Sequence, residues 1–272
     1  ALLAEVTEQT IESCRESLQG LEDAGLAHQK SAAEDSGYAF CHPLMQEIAY
    51  QTQLEAHRTA VHVRLAQMLT ARYPADTVNK LAIKIAYHWE RAGNWAQAGA
   101  WSLRAAQWAN TRDLNITSEQ FRAARRNLDL APASEAVIKQ RIAARSGLIR
   151  MAQFTQVSEE EVESAYAEGR RMADDSGDAA SAAELLLSYG IEHLHRGQAA
   201  EGARLAAEAV HLSIRVGMPS LAARFRLGIL MLHTVAGRPR EGLALVDQAT
   251  GSQWRTEPIN EDNFMSRGYY GV

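Results

Sequence analysis

Proline and cysteine are scarce in this chain, with six and two among 272 residues, and aromatic residues reach only 7%. Runs of Val, Ile and Thr of the kind that build strands are nearly absent. Ala and Leu are abundant instead, and both enter a helix at little entropic cost. The two cysteines, Cys14 and Cys41, are far apart and in no metal-like spacing. That usage excludes a disulfide scaffold and suits a reducing compartment, so a cytoplasmic location is expected. No apolar run approaches the roughly 18–20 residues that a membrane span needs. The richest, 227–235, is short and contains His233. The opening stretch Ala1-Leu2-Leu3-Ala4-Glu5 lacks the basic start of a signal peptide. The chain opens without Met, and its last residues, 266–272, read as the beginning of another helix. An excerpt of a longer protein is expected.

The motifs of common chemistry are missing too. There is no G-x-x-x-x-G-K-[ST] and no G-x-G-x-x-G, so no loop is offered to a nucleotide phosphate. There is no H-E-x-x-H or C-x-x-C among the nine histidines and two cysteines. His193 and His195 are two apart, which points their rings to different helix faces. His57 and His62, five apart, pair no better. No Ser/His/Asp signature is present, and the serines sit at helix starts, where they cap. Neither catalysis nor a cofactor or metal is expected of this chain.

What is present is helix. Residues 7–24 carry Ile11, Leu18 and Leu21 at helical spacing and stop at Gly25. Two short extended pieces follow, 26–29 and 38–41, joined by the polar stretch 30–37, which reads as a β-hairpin with a flexible tip. Pro43 then opens a helix at its first turn. Helix, hairpin, helix is the outline of the last part of a winged helix, here residues 1–52.

From residue 53 to 272 the pattern is helix pairs. Candidate helices cover 54–73, 78–92, 95–112, 117–130, 134–153, 158–176, 179–196, 198–216, 219–236 and 239–250. The breaks carry Pro132, Gly177, Gly197, Gly217 with Pro219, and Gly237 with Pro239. Gly202 and Gly242 are 40 apart, as are Ala209 and Ala249. Tyr189-Gly190 aligns with Leu227-Gly228, and an earlier unit offers Ala86, Gly93, Ala98 and Ala105. Small residues at such points let antiparallel helices approach closely, and each pair must stack on its neighbours to finish a core. The expected fold is all-α: a tetratricopeptide-like helical-repeat solenoid preceded by a partial winged helix with a small β-hairpin.

Three strings carry a resemblance. The first is Tyr38-Ala39-Phe40-Cys41-His42-Pro43-Leu44-Met45-Gln46-Glu47-Ile48-Ala49-Tyr50. The second is a helix with Arg58, Val61-His62 and Ala66. The third is Ala86-Tyr87-His88-Trp89-Glu90-Arg91-Ala92-Gly93-Asn94-Trp95-Ala96-Gln97-Ala98. Together they resemble the region after the ATPase module in bacterial signalling ATPases of the STAND class, adenylate/guanylate cyclase-like proteins among them. The resemblance covers residues 1–130. It implies a nucleotide-binding module before Ala1, with a cyclase domain ahead of that in the cyclase-like members, and further repeats after Val272. Pro43 departs from the simplest form of the pattern. His42 is expected to join the winged helix to the first helix pair, and His88, beside Trp89, to pack within the first repeat.

Net charge is −5 and uneven. Residues 1–60 hold three basic and ten acidic residues, or −7, which leaves 25 basic and 23 acidic residues, or +2, for the rest. A winged helix raises DNA binding, but phosphates demand Lys and Arg. Residues 7–24 offer Arg15 alone against Glu8, Glu12, Glu16, Glu22 and Asp23. An interdomain joint is the expectation, and nucleic acid is not an expected partner. Residues 101–150 are basic, with nine Lys and Arg against four acids. Within them Arg122, Arg125 and Arg126 form either a solvated helix face or a docking surface for an acidic partner. Trp101 and Trp108, seven apart, share a helix face and serve either core packing or a ligand groove. Two functions stand side by side: a regulatory module that binds a protein or neighbouring domains of its own chain, and a helical array that senses a small-molecule inducer.

Overall fold

The computed structural model describes residues 2–30, 37–110 and 112–252. The tip expected between the two strands and the helix start expected at 266–272 lie outside the described residues. The described chain is predominantly helical, with fourteen helices and one two-stranded antiparallel sheet. It divides into two compact units, Ala1–Ala98 and Gly99–Val272.

In the first unit, α1 (Leu2–Val6) is followed by α2 (Ile11–Asp23), whose start is fixed by the Thr10 hydroxyl accepting from the Ser13 N–H at 3.2 Å. Strands β1 (Ala27–Lys30) and β2 (Gly37–Phe40) pair with Ala27 opposite Phe40 and Lys30 opposite Gly37. Helix α3 (Pro43–Gln51) starts on its proline, and none of its residues is buried. His42 caps it, its Nδ1 accepting from the Leu44 N–H at 3.1 Å. That corrects the role expected of His42. An extended residue just before a helix turns its side chain back onto the helix's orphan N–H groups, so His42 serves its own helix.

The joint to the next pair is made elsewhere. The Tyr50 hydroxyl lies 3.1 Å from His62 Nε2 on α4 (Glu55–Arg72). On α4, Arg64 donates to the Val6 carbonyl at 2.9 Å and pairs with Glu8 at 2.9 Å, and Arg72 pairs with Glu5 at 3.1 Å. The single helix expected over 78–92 is two, α5 (Ala75–Lys80) and α6 (Ala82–Arg91). The Leu81 N–H is shared between the Thr77 and Val78 carbonyls, a tightened last turn that ends α5. Helix α4 packs on α6 around Ala66, Ala82 and Ile85, all fully buried.

The second unit begins within α7 (Trp95–Ala109) and continues through α8 (Leu114–Leu130), α9 (Glu135–Met151), α10 (Glu159–Ser176) and α11 (Ala179–His195). It ends with α12 (Ala199–Arg215), α13 (Pro219–Val235) and α14 (Pro239–Thr250). Asp113, Ser134, Ser158 and Asp178 cap α8 to α11 by accepting from a backbone N–H three residues on. Sequential helices pack as hairpins, α9 on α10, α11 on α12 and α13 on α14. Helix α11 also packs on both α9 and α13, and α12 packs on α14, so the hairpins stack in two rows. Buried Ile149, Val162, Leu185, Leu186 and Leu205 form one core cluster, and Leu187, Ile229, Leu230, Leu232 and Val246 the next.

Helices α11 and α13 begin at 179 and 219, and α12 and α14 at 199 and 239, so the last two hairpins repeat every 40 residues. Gly197 and Gly237 turn both hairpins with φ of 76° and 75°. The register moves the expected partner of Gly190 from Gly228 to Leu230. Gly190 and Gly202 bring two backbones together: a Cβ on Gly202 would lie 2.5 Å from the Gly190 carbonyl oxygen. In the last hairpin the same position, Gly242, receives the His233 side chain instead.

Candidate interaction groove

The row of α9, α11 and α13 faces a cavity of about 420 Å³ within the second unit. It is floored by Ala143, Ser146 and Arg150 of α9 and by Glu184, Leu187, Ser188 and Ile191 of α11. Leu103 and Gln107 of α7, Phe121 of α8 and Phe225 of α13 complete it. The spacing on α11, three, four and seven residues from Glu184, is that of one helix face. Volumes of this size suit a small ligand or a segment of side chains.

The polar atoms of the floor form an ordered chain. The Ser188 hydroxyl donates to the Glu184 carbonyl oxygen at 2.8 Å. Its single proton is then used, so the Ser146 hydroxyl donates in the 3.0 Å contact between the two serines. Ser146 in turn accepts from Arg150 Nη1 at 3.3 Å. Arg150 has no carboxylate at ion-pair distance among the described residues. Protein surrounds most of it while solvent still reaches it at the groove mouth. Burial pulls its guanidinium below its ordinary value, and Glu184 pulls weakly the other way.

The arginines singled out in the sequence are placed differently from one another. Arg122 holds both carboxylate oxygens of Glu161, at 2.9 and 2.8 Å, and the Gln156 carbonyl at 3.0 Å. Their mutual hydrogen bonds, the leading cause for each, raise Arg122 and lower Glu161. Arg125 reaches Glu168 at 2.8 Å and the Ser164 hydroxyl at 3.0 Å. Arg126 alone is exposed, with no ion pair among the described residues. The basic stretch is thus spent largely inside the unit. Arg145 is 1% exposed and pairs with Asp129 and Glu168 at 2.8 and 2.6 Å. Arg141 donates to the Leu128 and Ala131 carbonyls that end α8.

The tryptophans are also engaged by arginine. Trp101 is buried, with the Arg104 guanidinium 4.7 Å from its ring centre, and Arg112 lies 4.7 Å from that of Trp108.

In the first unit, two histidines that no sequence spacing pairs come together. His62 Nδ1 and His88 Nδ1 are 2.9 Å apart, with Tyr87 packed edge-on to His62. Arg58 and Arg91 lie 4.9 and 5.2 Å from the Tyr50 ring centre. Among the described residues, no group of three or more His, Cys, Asp or Glu side chains is placed to hold a metal ion. Among them too, no helix is long and apolar enough to cross a membrane.

The groove escaped the sequence reading because its floor mixes Ala, Ser, Arg, Glu and Leu, which leaves no apolar stripe. The signal that was there is positional: 143, 146 and 150, then 184, 187, 188 and 191, each at helix-face spacing. No protein-family model matches this chain, and no curated protein matches it.

Proposed function

We propose that this chain is a non-catalytic binding and regulatory module, a tetratricopeptide-like helical array behind the end of a winged helix, working within a larger STAND-class signalling ATPase of adenylate cyclase-like or transcription-regulating type. The observation that carries the reading is the groove along α9, α11 and α13. Stacked helix hairpins present one helix of each pair to a shared face, and a ligand there touches several hairpins at once. Its occupancy would favour one arrangement of the stack over another, which is how a binding event is passed to neighbouring domains. The exposed apolar side chains Tyr38, Phe40, Leu44, Met45 and Ile48 support the winged-helix part, because further elements of such a domain would cover them.

The test is made on the full-length protein. Ala143→Trp fills the groove floor, and nucleotide turnover is compared with and without it. The reading expects turnover or its response to stimulus to change; full-length protein indifferent to the substitution, or lacking a phosphate-binding loop, counts against it. A second reading, an inducer-sensing array, is favoured by the cavity's size and by Arg150 among apolar walls.

A further inference from the structure

We propose that the groove binds a small organic acid, its apolar body between Phe121, Leu187 and Phe225 and its carboxylate on Arg150. The inference rests on the reading of this groove as the module's binding face. Three observations lead to the ligand class. Among the described residues, Arg150 is the cation lining the groove and its side chain has one hydrogen bond, to Ser146, whereas Arg122, Arg125 and Arg145 are each neutralised by carboxylates. The serine chain holds the guanidinium in place, because the proton order from Arg150 through Ser146 and Ser188 ends on a backbone oxygen. The remaining N–H groups of Arg150 have the planar fork that matches a carboxylate. Apolar walls on the inner side of that pair lower the local dielectric and strengthen it. Glu184 lies in the same cavity and already has an interaction of its own. Its charge disfavours small multivalent anions and leaves a single carboxylate as the better match. A cavity of 420 Å³ holds a small molecule.

The experiment uses two probes with the same body, 3-phenylpropanoate and 3-phenylpropanamide, titrated calorimetrically into the whole chain. The acid is expected to bind about tenfold or more tightly than the amide. Arg150→Gln should abolish that preference, Arg150→Lys should keep part of it, and Arg126→Gln should leave it unchanged. Circular dichroism and melting temperature confirm that each variant is folded. Equal affinity of the two probes, no binding of either, or an Arg150→Gln protein that still prefers the acid would overturn the proposal. So would a clearly tighter fit of a peptide C-terminus, measured with a free and an amidated Leu-Phe tail. Ala143→Trp separates the two levels. If it abolishes binding of both probes while they bind equally well to the original protein, the groove stands and the carboxylate assignment falls. If binding survives it, the groove reading itself falls.

Discussion

His62 and His88 meet Nδ1 to Nδ1 at 2.9 Å, 26 residues apart in the chain. Such a contact needs one ring to donate and the other to accept, so the two rings cannot both be protonated while it holds. Burial, followed by the His62 ring, takes His88 from 6.5 down to about 4. Burial, then Arg91 and Arg58, lowers His62. The folded state therefore resists protons that the unfolded chain accepts near pH 6.5. The contribution of the pair is fully present above pH 6.5 and declines as pH falls from there toward about 4. Urea unfolding followed by tryptophan fluorescence should show the midpoint falling across that window. His62→Phe with His88→Leu should flatten the fall; an unchanged slope would rule the pair out as its cause.

The two glycines of neighbouring hairpins should respond oppositely to alanine. A Cβ on Gly202 would lie 2.5 Å from a backbone oxygen of Gly190, which cannot move without parting α11 from α12. Gly202→Ala should cost about 1–3 kcal/mol. A Cβ on Gly228 meets Leu187 methyls at 3.5 Å and an Ile191 methyl at 3.6 Å, ordinary contact. There the helix gains from losing a glycine, and Gly228→Ala should be neutral or stabilising by about 0.5–1 kcal/mol. Thermal melts of the two single variants check the contrast.

The same contrast shows what the sequence could express. Helix ends are local: a glycine after a periodic run, or a Ser before one, places them, and Gly177 and Gly197 sit where the pattern put them. The hairpin of β1 and β2 was equally local. Partners are not local. Arg122 and Glu161 are 39 apart and Arg125 and Glu168 are 43 apart, so from sequence those arginines looked like spare charge. The groove depends on which helix faces turn toward each other, and its side chains are too mixed in polarity to leave a hydrophobic period. Gly190 and Gly228 looked equivalent because both follow a bulky residue, whereas the helix starts set the true offset at 40.

Charge reversal should sort the three arginines chosen from sequence. Arg126→Glu disturbs no ion pair among the described residues and should shift stability by less than about 0.5 kcal/mol. Arg122→Glu sets two carboxylates against each other and should destabilise the α8–α10 contact. The swap Arg122→Glu with Glu161→Arg should recover much of the loss, and 1 M salt should shrink the difference between single and double variants. Urea midpoints of the four proteins measure it. Equal losses in Arg126→Glu and Arg122→Glu would contradict the placement.

Arg145 supplies the strongest prediction, because its charge is buried while its partners are not. Its side chain is 1% exposed, against 38% for Asp129 and 33% for Glu168. Removing the cation leaves two carboxylates that water can still reach. Removing both negative charges leaves a guanidinium that water cannot reach, with neutral acceptors in their place, among them the Arg141 carbonyl at 3.2 Å. Stranding a buried charge costs about 3–5 kcal/mol, more than deleting the charge itself. Asp129→Asn with Glu168→Gln should therefore destabilise the second unit more than Arg145→Met does. Adding Arg145→Met to that pair should restore stability rather than lower it further. Equilibrium unfolding of the single, double and triple variants gives the coupling directly. A triple variant less stable than the double would mean that the amides satisfy the guanidinium, and that its shape rather than its charge holds α8, α9 and α10 together.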